Sequence, residues 1–230
     1  MAGANVIALD IREDEPSPPK LRRRRDAQVA DTRLRLIDAG YRAFGGAGYH
    51  ATTMADVARA AGMSQGAAYN HFAGKEALFS AAFEAFNPFD DLIETLYALA
   101  RSGASADSDF DEQLRHALGA FGSSSGDAGE SNRDWFDLLL IDVLEFDCRH
   151  WSDLYRRQRA GFARAAGRLE ASGRLVGVGG AAALRSVIAA VLGERLVARL
   201  LAAGEGRDVR PAAGSGVLDV FLGGLLAETG

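Results

Sequence analysis

Residues 53–72 read Thr-Met-Ala-Asp-Val-Ala-Arg-Ala-Ala-Gly-Met-Ser-Gln-Gly-Ala-Ala-Tyr-Asn-His-Phe, two helical signals separated by a glycine. No other stretch of the chain leaves so few folding options. Thr53 is placed to cap a first helix, its hydroxyl accepting from a free N–H of the first turn. Met54, Val57, Ala58 and Ala61 then recur at helical spacing and give one apolar face. Gly62 supplies the positive φ with which many helices end. Met63 is apolar and fits the angle between two helices. Ser64 is a second cap candidate, opening a helix of about two turns. Two short helices meeting steeply through a glycine-containing turn make a helix-turn-helix.

The outward face of the second helix offers Gln65, Gly66, Ala67, Tyr69 and Asn70. These are small, polar or phenolic, without a bulky aliphatic side chain. A helix entering the major groove needs small residues at its leading end and a few hydrogen-bonding groups beyond them. Ala68 and Phe72 are expected to turn back to the core. Lys75 lies near the start of the next helix, where a cation opposes the helix dipole. A nearby phosphate would give it a reason to be there.

The segment 32–79 resembles the DNA-binding part of the TetR (tetracycline repressor) family of bacterial regulators. The resemblance rests on Thr32, Leu36-Ile37-Asp38-Ala39-Gly40, Phe44, Gly48-Tyr49, Thr52-Thr53-Met54, Val57-Ala58, Ala61-Gly62-Met63-Ser64-Gln65-Gly66, Tyr69, His71-Phe72 and Lys75-Glu76-Ala77-Leu78. It covers about a fifth of the chain; the rest matches only in length and helical pattern. Ala68 departs from the family, which more often carries Leu there. The resemblance implies base-edge contacts from Gln65, Gly66, Ala67 and Asn70, with Ser64 opening that helix at the DNA surface. It implies phosphate contacts from Thr53, Tyr69, His71 and Lys75. It also implies a small-molecule effector held in the middle helices, and a homodimer through the last two.

The net charge of −5 is unfavourable for a nucleic-acid partner, but its distribution is not. Residues 20–25, Lys-Leu-Arg-Arg-Arg-Arg, carry +5 just ahead of the helix-turn-helix, and residues 26–86 carry −1. The acidic excess lies elsewhere, −3 before the basic run and −6 after residue 86. Residues 1–25, with three prolines and no period, read as a disordered tail; its Arg22–Arg25 run could reach phosphates or a minor groove.

The rest of the chain reads as helices throughout, about nine in all. The first is expected from about Asp26 to Phe44, burying Ala30, Leu34, Ile37, Tyr41 and Phe44. A helix from Gly74 carries Leu78, Phe79, Ala82, Phe83 and Phe86 on its apolar side. Pro88 divides or kinks it, and Asp90 to Arg101 continues. Further helices are expected over 110–121, 132–148, 152–172, 181–203 and 217–227, with residues 122–131 a flexible linker. The organisation is thus a tail over 1–25, a helix-turn-helix domain over 26–73, and a helical effector-binding and dimerisation domain over 74–230.

Catalytic signatures are absent. The single cysteine, Cys148, excludes an intramolecular disulfide and a paired-cysteine zinc site, which suits a reducing cytoplasm. None of the four histidines stands in a metal-binding pattern, and Gly177-Val-Gly-Gly180 follows no strand. Asp137, Asp142, Glu145 and Asp147 read as a solvated face. No signal sequence and no apolar run of membrane-spanning length is present. Neither enzyme nor cofactor is expected. Phe86, Tyr97, Phe121, Trp135, Leu139 and Phe162 are the expected lining of a largely apolar effector pocket. The reading is an all-α, cytoplasmic, homodimeric regulator that binds an operator in double-stranded DNA, a repressor released by its effector. An activator and a non-specific, nucleoid-type DNA binder of the same fold are the alternatives.

Overall fold

The computed structural model describes residues 19–101, 112–114, 135–171 and 180–205. Within them the regular structure is helical throughout. Eight helices are described: α1 Pro19–Ala47, α2 Met54–Ala60, α3 Gln65–Tyr69, α4 Lys75–Ala85, α5 Phe89–Arg101, α6 Trp135–Glu145, α7 Arg149–Ala171 and α8 Gly180–Glu205. Residues 112–114 are helical as well. The expected helix over 217–227, the linker over 122–131 and Phe121 lie outside the described residues.

α1 begins at Pro19, not near Asp26, so the basic run belongs to a helix of 29 residues. Pro is favoured at a first helical position, and Lys, Leu and Arg are good helix formers with no breaker among them. The helix ends where Gly48 takes φ +83°. Its buried face also differs from the expected stripe. Leu36, Ile37, Ala39, Tyr41 and Phe44 are buried, whereas Ala30 is exposed and Leu34 is 62% exposed. The helix buries apolar side chains from Leu36 onward; just ahead of it Arg33 and Arg35 reach the head with their long polar side chains, while Val29, Ala30 and Leu34 stay exposed. Gly40 lets α4 approach closely: a Cβ there would sit 3.1 Å from Leu78 Cγ.

α4 stops at Ala85 because the chain turns through Phe86-Asn87-Pro88. Asn87 Nδ2 donates to Glu84 O (2.7 Å), and its Oδ1 accepts from Phe89 N (3.0 Å), closing one helix and opening the next. α5 and α8 both pack on α7. α6 ends at Glu145, short of the expected Cys148. Asp147 and Cys148 take φ values of 51° and 58°, and the chain reverses into α7.

That reversal is organised by Asp142, which is fully buried and not on a solvated face. Its Oδ1 accepts from His150 N (3.2 Å) and meets His150 Nδ1 (2.7 Å), while Oδ2 accepts from Trp151 N (2.8 Å). The carboxylate therefore caps α7 from a neighbouring helix. Asp137 is also nearly buried, and pairs with Arg199 of α8. Among the described residues one continuous apolar core runs from Leu36 of α1 to Val191 of α8, joining the first helices to the last.

Candidate nucleic-acid interface and cavity

α2 is fixed at its start by a reciprocal cap. Thr53 Oγ1 accepts from Asp56 N (3.2 Å) and donates to Asp56 Oδ2 (2.5 Å). The hydroxyl of Thr53, with Arg59 beside it, holds the Asp56 carboxyl below its usual range. The one hydrogen of that hydroxyl is thus already directed at Asp56, which competes with the phosphate contact the resemblance implies. Met54, Val57, Ala58 and Ala61 are buried as their spacing requires. Gly62, at φ +71°, makes the turn, and Arg35 Nη2 donates to the freed Ala61 O (2.6 Å).

A five-residue α-helix is too short to persist alone. α3 is held by what it buries and by what caps it. Ala68 is fully buried and Phe72 almost so. Ser64 Oγ accepts from Ala67 N (3.2 Å). Arg33 of α1 places its guanidinium 4.3 Å over the Phe72 ring and donates to His71 O (3.5 Å). The opposite face is open: Gln65, Gly66, Tyr69 and Asn70 are exposed and Ala67 partly so. A Cβ at Gly66 would meet nothing within 4 Å, so the leading end of α3 is free for close approach. These residues share one strip at spacings of three and four.

His71 and Lys75 stand apart from that strip and are half-buried. Lys75 Nζ donates to Tyr49 O (2.7 Å) and lies 4.2 Å from the centre of the Tyr49 ring. Its place at a helix start is therefore explained within the fold by a carbonyl and an aromatic face, without a phosphate. Burial, with Glu76 nearby, pushes the Tyr49 phenol up.

Tyr49 belongs to a run of rings that leaves the head. Its ring meets Phe79 (5.6 Å) and Phe146 (4.7 Å). Phe79 continues to Phe83 (6.1 Å), Phe83 to Trp135 (4.9 Å), and Trp135 to Phe89 (5.9 Å) and Trp151 (6.3 Å). The Trp135 indole N–H donates to Phe83 O (2.9 Å). Polar side-chain pairs flank the run: His50 with Glu145 (2.6 Å), Glu76 with Arg149 (2.7 Å) and Glu84 with Arg157 (3.0 Å).

The run ends at a cavity of about 370 Å³ between the start of α5, α7 and α8. Phe89, Trp151, Tyr155 and Phe162 supply its aromatic wall, and Leu154, Ile188 and Leu192 its aliphatic one. Gln158, Arg159 and Arg185 are its polar groups. Of the expected lining only Phe162 is here. Phe86 instead stacks on Tyr41 (4.0 Å) beside the head. Trp135 and Leu139 are buried in the core. Tyr97 donates to Gly161 O (3.3 Å) in the α5–α7 seam. The rest of its lining lies at the start of α5, on α7 and on α8, and spacing alone gave no sign that these faces stand apart. Among the described residues, no group of three or more His, Cys, Asp or Glu could hold a metal ion. Nor is any helix there long and apolar enough to cross a membrane.

Residues 36–82 match the family described as bacterial regulatory proteins, tetR family. Over 85 residues the chain is 40% identical to the HTH-type transcriptional regulator TtgR of Pseudomonas putida. It is as similar to a probable HTH-type transcriptional regulator, ArpR, of Pseudomonas putida. Each match spans 37% of this chain and only 38% of the relative. Solved structures extend the likeness of fold. A protein of Mesorhizobium loti MAFF303099 assigned to the TetR family has a TM-score of 0.60 at 21% identity, over 86% of this chain and 98% of that one. A complex of SmeT with triclosan gives 0.55 at 22% identity, over 86% and 93%. NalD, the secondary repressor of the MexAB-OprM multidrug efflux pump in Pseudomonas aeruginosa, gives 0.55 at 23%, over 87% and 99%.

Proposed function

We propose, for a chain whose N-terminal helices belong to the TetR family of bacterial regulatory proteins, that it is a homodimeric transcriptional repressor released from DNA by a small molecule. The observation that carries the reading is the α3 strip. Ala68 and Phe72 are buried while Gln65, Gly66, Tyr69 and Asn70 are left to solvent. A helix this short, exposing small and hydrogen-bonding groups and held from behind by the core, suits insertion into a major groove. In this reading Gln65, Gly66, Ala67 and Asn70 meet base edges. Ser64, whose hydroxyl hydrogen has no acceptor among the described residues, and Tyr69 donate to phosphates. Thr53, His71 and Lys75 stand at the edge of the contact. The helical extension carrying Lys20–Arg25 adds charge that neutralises phosphates along the duplex.

The cavity is the effector site. Its volume falls within the range of small-molecule pockets. The SmeT–triclosan complex supports small-molecule binding in a protein of this fold. An occupant resting on Phe89 and Trp151 pushes on Trp135 and Phe83, and so on α4. α4 carries Phe79 and Phe83 against the rings and Lys75 against Tyr49. A change in its tilt moves the head, and with it α3. The occupant acts only insofar as it binds better to the tilted arrangement. In a dimer, two recognition helices must stay about 34 Å apart to read successive turns of one face, so a small tilt is sufficient to release DNA. Operator binding of this kind places the protein in the cytoplasm.

The test is fluorescence anisotropy of the protein on DNA upstream of its own gene, against a scrambled fragment, at about 50 and 200 mM salt. A preference of about a thousandfold that survives the higher salt is expected. Equal affinity for both fragments, with a steep salt dependence, would leave a non-specific DNA binder or an operator at another locus. A genome-wide selection of bound fragments then decides whether a preferred site lies elsewhere.

A further inference from the structure

The cavity carries a charge pattern that its apolar walls do not require. Among the described residues, Arg159 of α7 and Arg185 of α8 are the charged residues of its lining, and no Asp or Glu joins them. The chain as a whole has 31 acidic and 26 basic residues, so composition favours the opposite. The other arginines of α7 are engaged. Arg156 pairs with Asp153 and Arg157 with Glu84, Arg164 Nε donates to the Tyr97 hydroxyl (3.2 Å), and Arg168 lies 5.0 Å over the Tyr97 ring. Arg159 and Arg185 have no hydrogen-bond, ion-pair or ring partner among the described residues. Asp90, next to Phe89 of the lining, accepts from the side-chain amide of Gln158. That contact uses the Gln158 N–H and leaves its carbonyl oxygen as an acceptor.

Two arginines from different helices thus line one aromatic cleft, with no carboxylate among its described lining residues to balance them. An unbalanced positive pair beside a low-dielectric wall favours one negative group on a ligand. Phe89, Trp151 and Phe162 favour flat rings. We infer that the cavity selects an aromatic molecule bearing a single anionic group, a carboxylate, sulfonate or phenolate, with its rings on Phe89, Trp151 and Phe162 and its charge toward Arg159 and Arg185. This inference rests on the reading of the cavity as an effector site.

The test uses two fluorescent probes of one skeleton on the full-length protein. 1-Anilinonaphthalene-8-sulfonate carries the charge; N-phenyl-1-naphthylamine lacks it. The sulfonate is expected to bind about tenfold more tightly or better, the scale of a charge-assisted hydrogen bond. In the double variant Arg159→Gln with Arg185→Gln the preference should vanish while the neutral probe binds as before. Equal affinities in the unaltered protein, or a preference that survives the double variant, would overturn the inference and leave the cavity reading standing. A third variant, Ala163→Trp, fills the mouth of the cavity. If it changes neither probe's affinity, the probes bind elsewhere, and the cavity reading falls together with the inference.

Discussion

At the scale of single residues, Asp142 has the largest structural consequence. It is fully buried, and its two oxygens accept from two backbone N–H groups and meet the His150 ring. Asp142→Ala leaves those donors unsatisfied in the interior and uncaps α7. We expect a loss of about 2–4 kcal/mol, read from urea unfolding monitored by tryptophan fluorescence. A change below half a kcal/mol would mean that water or a neighbour replaces the carboxylate. Thr53 gives a second prediction, with a pH signature. The Thr53 hydroxyl lowers the Asp56 pKa, so folding favours the ionised carboxylate. The stabilisation is present above the unfolded value of about 4 and is lost as pH falls through the lower, folded value. Thr53→Ala should cost about 1 kcal/mol near pH 7 through the cap, and the difference from the unaltered protein should shrink in acid. A constant difference across that range would show that Thr53 and Asp56 do not interact. The two acids also show what single residues reveal in a sequence. Thr53 was legible as a cap because caps are local. Asp142 read as solvated because its partners lie eight and nine positions away, across a turn that two positive-φ residues make and no glycine announces.

At the scale of elements, the head was legible almost residue by residue. Gly62 takes its positive φ, Thr53 and Ser64 cap their helices, and Ala68 and Phe72 face inward. All of this follows from short-range rules of capping and spacing. α1 was misplaced at its start because three prolines and a charge run look disordered by composition, although the prolines all lie at or before the first helical residue. The cavity was the least legible element. An aromatic residue on a helical stripe has the same spacing whether it fills a core, as Trp135 does, or edges a cavity, as Trp151 does; only the packing of α5 against α7 and α8 separates them. The recognition helix yields a prediction of its own. Asn70 and Tyr69 are exposed side by side, one proposed for a base and one for a phosphate. Asn70→Ala should change base preference in a selection from random DNA, by about 1–3 kcal/mol at one position. Tyr69→Phe should weaken binding to every sequence alike, because phosphate contacts carry no sequence information. If Asn70→Ala leaves the preferred site unchanged while Tyr69→Phe alters it, the two roles are assigned the wrong way round.

At the scale of the whole molecule, the question is how one short recognition helix can specify a site. In the proposed function α3 offers too few base contacts alone, and a second copy would double them on a two-fold symmetric operator. We propose the far half of α8 as the surface for that copy. Ile188 and Val191 are buried in the chain's own core, but Val197, Leu200 and Leu201 are more than half exposed, and Leu196 is 41% exposed. Exposed apolar residues at these spacings form a stripe that association would remove from water. Leu200→Glu with Leu201→Glu puts two like charges on that stripe in each copy, and on facing copies they repel. The altered chain should run as a monomer in light scattering at micromolar concentration, with an unchanged helical signal, since neither side chain is buried within one copy. Its affinity for a full operator should fall about a hundredfold or more, because the second half-site no longer binds at the high effective concentration that the dimer provides. Its affinity for an isolated half-site should not change, which separates loss of pairing from damage to the head. If the variant stays dimeric, the association uses another surface; if it is monomeric yet binds the operator undiminished, the two recognition helices do not act together. The probe affinities of the cavity should survive the same change, because Phe89, Trp151 and Phe162 belong to a single copy, and a monomer that still binds the anionic probe would place effector recognition upstream of pairing.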